Sequence, residues 1–262
     1  MNRNKEQMLD FLVKAFIADS DNYKNMEIPE DETQKKVVLR SLMNIRIPRK
    51  MDDEVLEVQD EYLKLCAEEK GIVELEDIPI IKDIFSIWQG DITRLKVDAI
   101  VNAANSIMLG CWAPMHLCID NQIHTFAGIQ LRAECNEKMQ ELKKKYGQDY
   151  EQPTAVPMLT DAYNLPSKKV IHIVGPIVYG ELTEKLEKEL ADCYEKTLDM
   201  CLENELKTVA FCCISTGEFR FPKERAAEIA IDTTKKWVLE HPLAMDRIIF
   251  NVFKDEDKKS YE

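Results

Sequence analysis

The sequence predicts an α/β fold, with a largely parallel sheet covered by helices on both faces and a helical extension before it. From about residue 81, short apolar runs rich in β-branched and aromatic residues alternate with longer segments of helical periodicity. This alternation is typical of βαβ units around a buried parallel sheet. Residues 1–80 show helical periodicity alone, so we assign them to a separate helical unit.

The N-terminal extension contains three predicted helices. In MLDFLVKAFI (8–17) apolar residues recur at helical spacing, and segments 35–46 and 52–71 repeat that character. The acidic start of the third segment suits a helix N-terminus, and Gly71 is a suitable stop. Pro48 separates the second predicted helix from the third because proline disrupts a helix interior.

Five strands and three helices are predicted in the rest of the chain. The strands are IFSIW (84–88), DAIVNAA (98–104), KVIHIVG (169–175), TVAFCCIS (208–215) and RIIFNVF (247–253). Helical patterns lie at 119–145, 186–206 and 222–240. Ligands of parallel sheets bind beyond the carboxyl ends of the strands, where loops lead into helices. The loops of interest therefore follow the second and the fourth predicted strand.

Length and composition limit the classes of protein to which this chain can belong. A chain of 262 residues with 45% apolar residues can bury the core of one large domain, or of a domain and a smaller unit. No apolar run approaches the roughly 18–20 residues of a membrane span, and the mixed-charge start lacks the apolar segment of a signal peptide. The net charge of −13 disfavours a nucleic-acid binder, which needs a basic face. We expect a cytoplasmic protein without a membrane or nucleic-acid partner.

The eight cysteines fall into two groups. Most lie in apolar runs or helical patterns, where we expect small buried side chains without disulfides. Cys111 and Cys118 differ because His116 lies between them in a C-x4-H-x-C spacing. Thiolate and imidazole are the usual zinc ligands, and three ligands leave a fourth position open, as in catalytic zinc sites. The alternatives are incidental cysteines beside a core histidine, or a structural zinc closed by a remote cysteine.

The three other histidines are assigned from their surroundings. His124 follows Asp120 by four residues, so both lie on one helix face. We predict that His124 is a hydrogen-bonded core histidine, and the alternative is a partner of a metal ligand. His172, within VIHIVG, is predicted to be buried in a strand, and His241 to lie in a surface loop.

The loop STGEFRFP (215–222) combines hydroxyl groups with a glycine backbone that a ligand can approach closely. A predicted helix follows it, and Pro222 suits the first turn of that helix. The loop with the cysteines also leads into a helix, and helix N-termini attract phosphate. Two such loops facing one crevice suit a diphosphate, whereas STG before a helix is also a common cap.

Taken together, these motifs resemble the macrodomain family, the ADP-ribose-binding α/β fold. The matching segments are QGDIT (89–93), VDAIVNAANS (97–106), the IH-x-x-AG pattern around His124, YNLPSKKVIHIVGP (163–176) and ISTGEFRFP (214–222). These segments occur in the same order as in the family, and the resemblance covers roughly residues 82–254. Where ordinary macrodomains have a glycine-rich loop, this chain has LGCWAPMHLCIDN (109–121). That loop resembles the zinc-dependent microbial subgroup, whose members act as protein-ADP-ribose hydrolases.

The resemblance implies an architecture. Members of the subgroup carry a helical N-terminal extension similar to residues 1–80. Residues 81–262 are then a macrodomain, with three α/β/α layers and a central mixed, largely parallel sheet. We interpret the extension as a helical buttress, and a substrate-docking surface is the alternative.

The resemblance also implies roles for single residues. Catalysis is assigned to Asn105, at the distal ribose, and to Asp120, near a zinc ion held by Cys111, His116 and Cys118. The implied substrate-binding residues are Asp91 and Ile92 at the adenine, Asn105 at the ribose, and Ser215, Thr216, Gly217, Glu218 and Phe219 around the diphosphate. Some of them also have an ordinary structural interpretation: Asp91 as a turn or helix cap, Asn105 as a turn residue, Asp120 as a first-turn helix aspartate and Phe219 as a core anchor.

Two features depart from the family pattern. Glu218 and Arg220 stand where many macrodomains have a small residue or glycine. Gly110 is the only glycine left in the first loop. The conformation of both loops therefore has to come from the structure.

The predicted function is a zinc-dependent hydrolase that removes ADP-ribose from mono-ADP-ribosylated protein side chains. One alternative is a reader that binds ADP-ribose without turnover. Another is a protein whose zinc is structural and whose N-terminal helices bind a partner. The subgroup resemblance further implies a lipoyl-carrier protein as the substrate, modified by a sirtuin-type ADP-ribosyltransferase.

Overall fold

A six-stranded sheet forms the centre of the protein in the computed structural model, which describes residues 3–262. The strands are β1 (Phe85–Gln89), β2 (Ala99–Ala103), β3 (Met158–Asp161), β4 (Lys169–Ile173), β5 (Thr208–Phe211) and β6 (Arg247–Val252). Their order across the sheet is β1-β6-β5-β2-β4-β3. Strand β3 is antiparallel to β4, and the other neighbouring pairs are parallel. The predicted mixed, largely parallel sheet is confirmed.

Helices cover both sides of this sheet. They are α1 (Lys5–Asp19), α2 (Glu32–Ile45), α3 (Asp53–Lys70), α4 (Ile119–Ala127), α5 (Ile129–Tyr146), α6 (Glu184–Glu203), α7 (Lys223–Glu240) and α8 (Asp255–Tyr261). Helix α7 packs between α6 and α8, whereas α4 contacts α5, α2 and α3. The predicted α/β/α architecture is confirmed. Within residues 3–262, no helix is long and apolar enough to cross a membrane.

The N-terminal extension is built around an apolar cluster of its own. Helix α1 begins with a capping box, in which the side chains of Asn4 and Gln7 accept each other's backbone N–H groups. Helices α1, α2 and α3 bury their apolar faces against one another, including Leu12, Phe16 and Tyr62. The apolar core around the sheet is a separate cluster. The division into two domains at residue 80 stays a prediction.

Three features differ from the expected elements. The helix expected at 119–145 is interrupted at Gly128, whose φ of 99° is a conformation that glycine adopts readily. Pro222 is the cap before α7 and lies outside its first turn. Strand β3 and helix α8 are absent from the prediction, because four residues of strand and a mostly charged helix carry little periodic apolar signal.

The sheet topology brings the two loops of interest together. Strand β2 pairs in parallel with both β4 and β5, so the carboxyl ends of these strands lie at one edge of the sheet. The loop after β2 leads into α4, and the loop after β5 leads into α7. Their adjacency follows from strand order, which places β5 beside β2 although more than a hundred residues separate them.

Candidate active site

Three metal-ligating side chains converge in the loop before α4, residues 111–118, which we call the Cys-His loop. The ligand atoms of Cys111, His116 and Cys118 lie within 4.8 Å of one another. Cys118 is the N-cap of α4, and its Sγ accepts the N–H of Asn121 at 3.5 Å. Burial raises the pKa of the Cys118 thiol to about 12, so a metal that binds it as thiolate releases a proton.

The donor set fits zinc. Bonds of about 2.3 Å to sulfur and about 2.0 Å to nitrogen, at the tetrahedral angle, place those two ligand atoms about 3.5 Å apart. The distance from Cys111 Sγ to His116 Nδ1 is 3.6 Å. Both cysteines are half-buried and His116 is exposed, so the loop is open to solvent. Three protein ligands would leave one tetrahedral position for water or a substrate oxygen. Zinc at this site stays a prediction.

Asp120 lies in the first turn of α4, two residues after Cys118. Its Oδ2 accepts from Asn105 Nδ2 at 3.3 Å, and its Oδ1 accepts from Asn102 Nδ2 at 2.8 Å. Burial raises the pKa of Asp120 to about 6, although the Asn102 hydrogen bond and the charge of Arg132 oppose the shift. The structure thus places the two residues predicted to be catalytic against each other, beside the Cys-His loop. Their roles stay predictions.

The histidines outside the Cys-His loop have different surroundings. His124 is buried, yet in the described part of the chain neither ring nitrogen has a hydrogen-bond partner. The prediction of a hydrogen-bonded His124 is therefore wrong; the Asp120 carboxylate lies 3.6 Å from its Nε2. His172 is buried in β4 as predicted, with Nδ1 3.0 Å from Asn102 Nδ2. His241 is the C-cap of α7.

The loop after β5, residues 215–219, has groups suited to an anion, and we call it the phosphate loop. Ser215 has a φ of 64°, and its buried Oγ has no partner among the described residues. Within residues 3–262, the N–H groups of Gly217, Glu218 and Phe219 donate to no protein acceptor. Thr216 uses its N–H and its hydroxyl on a backbone carbonyl of the preceding turn. Successive free N–H groups in a tight loop form an anion-binding concavity.

Glu218 of the phosphate loop lies near the Cys-His loop. Its Oε1 lies 4.0 Å from His116 Nε2, and its side chain is 81% exposed. Glu218 is one of the residues that depart from the family pattern, and its carboxylate lies near the predicted metal ligand His116. The Phe219 carbonyl accepts the N–H of Val178 at 2.9 Å, so the segment after β4 supports the phosphate loop.

Asp91 is held by two partners. Its Oδ1 accepts the N–H and the hydroxyl of Thr93, at 3.0 and 2.6 Å, and its Oδ2 lies 3.2 Å from Lys70 Nζ in α3. Burial acts to raise the pKa of Asp91, but hydrogen bonds from Thr93 and the Lys70 charge outweigh it and lower the pKa. Ile92 is 3% exposed and belongs to the sheet core. The extension therefore contacts the residue predicted to bind adenine.

Gly110 determines how the Cys-His loop begins. Its φ is 79°, and a Cβ atom there would lie 2.8 Å from the buried His124 ring. We expect Gly110→Ala to lower the free energy of unfolding by about 2–4 kcal/mol, from left-handed backbone strain and overpacking together. Urea unfolding measures the change. Gly147→Ala is the control, because its φ of 115° adds strain but no atom lies within 4 Å of the new Cβ. Equal losses in the two variants would contradict a role for the His124 contact.

Four polar side chains that support the site are absent from the sequence-based prediction. Asn121 of α4 donates to the carbonyls of Cys111 and Ala113. The other three are Arg40 and Asn44 of α2, and Arg132 of α5. A polar residue within an apolar helical pattern, such as Asn44 in LMNI, is the one local signal available. It shows that a buried partner exists but does not say which.

Comparisons with known proteins agree with this fold. The sequence pattern of the family described as Macro domain matches residues 101–230. A Treponema medium relative named protein-ADP-ribose hydrolase is 48% identical over 255 residues, covering 96% of this chain and 95% of the relative. A Staphylococcus aureus (strain MSSA476) relative of the same name is 37% identical over 262 residues, covering 99% and 96%.

Solved structures show the same relationship. The Trypanosoma brucei macrodomain in complex with ADP-ribose superposes with a TM-score of 0.64 at 26% identity, over 89% of this chain and 95% of that one. The Oceanobacillus iheyensis macrodomain with ADP gives a TM-score of 0.59 at 32% identity, over 70% and 91%. The 48% identity to the Treponema relative over nearly the whole chain, together with this fold, establishes the family of the protein. The chain belongs to the Macro domain family.

Proposed function

We propose that this protein is a zinc-dependent hydrolase that removes ADP-ribose from mono-ADP-ribosylated protein side chains. The observation that carries the proposal is the convergence of the Cys-His loop with Asp120 and Asn105 at one edge of the sheet. The name shared by the Treponema and Staphylococcus relatives supports it, because those relatives match along nearly their whole length. A reader without turnover needs Asp91 and the phosphate loop but has no use for an accessible metal site.

The residues of the chain bind and orient the substrate in this proposal. The free N–H groups of the phosphate loop bind the diphosphate, as helix N-termini and backbone concavities do. Asn105 positions the distal ribose beside Asp120. Ideal positioning of reacting groups lowers a barrier by about 7–11 kcal/mol. A bound zinc would supply Lewis acidity at its open position, toward a ribose oxygen or water.

In this proposal, Asp120 takes part in proton transfer. It orients a water molecule and accepts its proton while the water oxygen bonds to the carbon under attack. That carbon is the anomeric carbon of the distal ribose, or the acyl carbon of an ester on that ribose. The bond to the leaving group breaks, and the leaving group takes up a proton. Free ADP-ribose and the unmodified side chain result.

The identity of the modified protein and of the enzyme that modifies it rests on the subgroup resemblance alone. It implies a lipoyl-carrier protein as the modified substrate and a sirtuin-type ADP-ribosyltransferase as the enzyme that modifies it. Release of ADP-ribose from such a carrier, compared with release from an unrelated modified protein at equal concentration, tests this part. Equal rates on both would contradict a dedicated carrier substrate.

The main test pairs zinc content with ADP-ribose release from an automodified ADP-ribosyltransferase. We expect one zinc per chain and turnover in the wild type, and loss of both in Cys118→Ala. Cys66→Ala is the matched control, because Cys66 is also a half-buried free cysteine but lies in α3 outside the Cys-His loop. Full turnover by zinc-free wild-type protein would remove the metal from the mechanism. ADP-ribose binding without turnover would favour the reader.

The contact between Lys70 and Asp91 can be tested at the adenine end of the site. We expect Lys70→Met to weaken ADP-ribose binding about two- to fivefold, since a partly exposed ion pair contributes about 1 kcal/mol or less. Without Lys70, the Asp91 carboxylate loses one of its partners, and the pKa of Asp91 rises. Binding by the variant should therefore fall earlier as the pH drops toward 4.

Calorimetric titration with ADP-ribose at several pH values measures both effects of the Lys70 substitution. Lys64→Met is the control, because Lys64 lies in the same helix with an exposed side chain. An unchanged affinity in Lys70→Met across this pH range would show that the Lys70–Asp91 contact has no part in binding.

A further inference from the structure

The backbone of the Cys-His loop is held largely by side chains from elsewhere in the fold. Met115 has a φ of 60°, so the loop turns sharply just before His116. Inside the loop, the His116 N–H donates to the Ala113 carbonyl at 3.2 Å. Leu117 is 78% exposed and adds no apolar packing that would fix this end. The position of His116 therefore depends on polar contacts made by other elements.

Helix α2 of the extension makes two of those contacts. Asn44 accepts the N–H of Met115 on its Oδ1 at 3.1 Å and donates its Nδ2 to Thr125 Oγ1 at 2.9 Å. Arg40, one turn earlier, donates from its guanidinium to the His116 carbonyl at 2.8 Å. Among the described residues, no other group donates a hydrogen bond to the His116 carbonyl. The peptide unit after His116 and the one before Met115 are thus tied to α2.

Arg40 also joins the two ends of the metal-binding segment. The same guanidinium donates to Asn121 Oδ1 at 2.8 Å, and the Asn121 amide donates to the carbonyls of Cys111 and Ala113. Arg40 therefore contacts the His116 carbonyl directly and the Cys111 carbonyl through Asn121.

We propose that Arg40 is a positioning residue through which the N-terminal extension builds the metal site. The inference rests on the proposed zinc-dependent function. Its geometric basis is the pair of hydrogen bonds from Arg40 to His116 and Asn121, which hold the three ligands at their mutual distances. Groups that orient metal ligands without touching the metal typically contribute about 10- to 100-fold to affinity. The extension is then part of the catalytic site and more than a support for the core.

The test measures zinc affinity of the full-length protein by competition with a chromophoric chelator. We expect Arg40→Met to weaken zinc binding about 10- to 100-fold, and Arg40→Lys to recover part of the loss because a lysine ammonium can still donate to the same acceptors. Lys36→Met is the matched control: Lys36 lies one turn earlier in α2, is exposed, and pairs with Glu32. We expect it to bind zinc as the wild type does.

A second readout reports the loop without metal. In zinc-free protein, the backbone N–H groups of residues 111–118 should exchange with deuterium faster in Arg40→Met than in Lys36→Met, because the loop loses its hydrogen bonds from Arg40. Affinity for ADP-ribose, which relies on the phosphate loop and Asp91, should stay within about threefold, a change of less than 1 kcal/mol. A defect confined to zinc affinity and to hydrogen exchange in the Cys-His loop distinguishes positioning from general destabilisation.

The outcomes separate the two proposals. If the wild type binds no zinc, the proposed function is wrong in its metal requirement, and the role of Arg40 at a metal site is lost with it. If the wild type binds zinc and Arg40→Met binds it equally tightly, the inference about Arg40 alone is overturned. Should Arg40→Met fail to fold, Arg40→Gln takes its place, with the same expected loss and the same contrary result.

Discussion

Replacing Asp120 with asparagine is expected to slow ADP-ribose release by about 10²- to 10⁴-fold, the usual contribution of a positioned general base. The substitution keeps the shape of the side chain and an oxygen that accepts from Asn102 or Asn105. It removes the negative charge and the ability to accept a proton. Zinc content and ADP-ribose affinity should therefore change little. Single-turnover release from a modified protein, with calorimetry for binding, measures the difference.

Asp161→Asn is the matched control for this substitution, because Asp161 is an exposed aspartate at the end of β3 that pairs with Lys169. It should release ADP-ribose at the wild-type rate. A rate for Asp120→Asn within about threefold of the wild type, less than 1 kcal/mol in barrier height, would show that Asp120 accepts no proton in the slow step. The search for the base would then turn to a group outside the Asn105–Asp120 pair.

Arg132→Met is expected to lower the free energy of unfolding by about 3–5 kcal/mol, a large share of the stability of a domain. Arg132 is 5% exposed, and burial lowers its pKa to about 10, so it remains charged near neutral pH. Its guanidinium donates to the backbone carbonyls of Leu109, Met43, Asn44 and Arg46. Methionine leaves four carbonyls without this donor, and buried unpaired groups are costly.

Three of these carbonyls lie at the C-terminal end of α2, where helix carbonyls have no partner within the helix and attract a cation. Arg132 therefore caps a helix of the extension from within the macrodomain, and its Leu109 contact reaches the start of the Cys-His loop. Urea unfolding followed by circular dichroism measures the loss. The control is Arg225→Met in α7, an exposed arginine paired with Glu187 and Glu228, expected to cost less than about 1 kcal/mol. Similar losses in the two variants would contradict the capping role.

Much of the fold is predictable because its signals are local. The apolar runs that become β2, β4, β5 and β6 are buried on both faces, and such runs are readable without knowing their neighbours. The zinc hypothesis is local as well, because Cys111, His116 and Cys118 fall within eight residues and a short loop cannot separate them far. The structure brings their ligand atoms within 4.8 Å.

Local sequence patterns do not predict features that depend on contacts with distant parts of the chain. The apolar pattern of 119–145 continues through Gly128, so periodicity alone predicts one helix although the backbone turns there. His124 shares a helix face with Asp120 as expected, yet its ring nitrogens meet no partner among the described residues. Whether a buried polar atom is paired depends on atoms that arrive from distant parts of the chain.

The sequence by itself determined the alternation of strands and helices, the helical character of residues 1–80 and the set of candidate metal ligands. These depend on neighbours within a few residues, where chain connectivity limits the distances. The tertiary structure alone decided which polar side chains support the site. Arg40 reaches His116 across 76 residues, and Arg132 reaches Met43 across 89. Such pairs form only after strand order and helix packing have placed α2 beside α4 and α5, because a hydrogen bond requires its two atoms to come within about 3 Å.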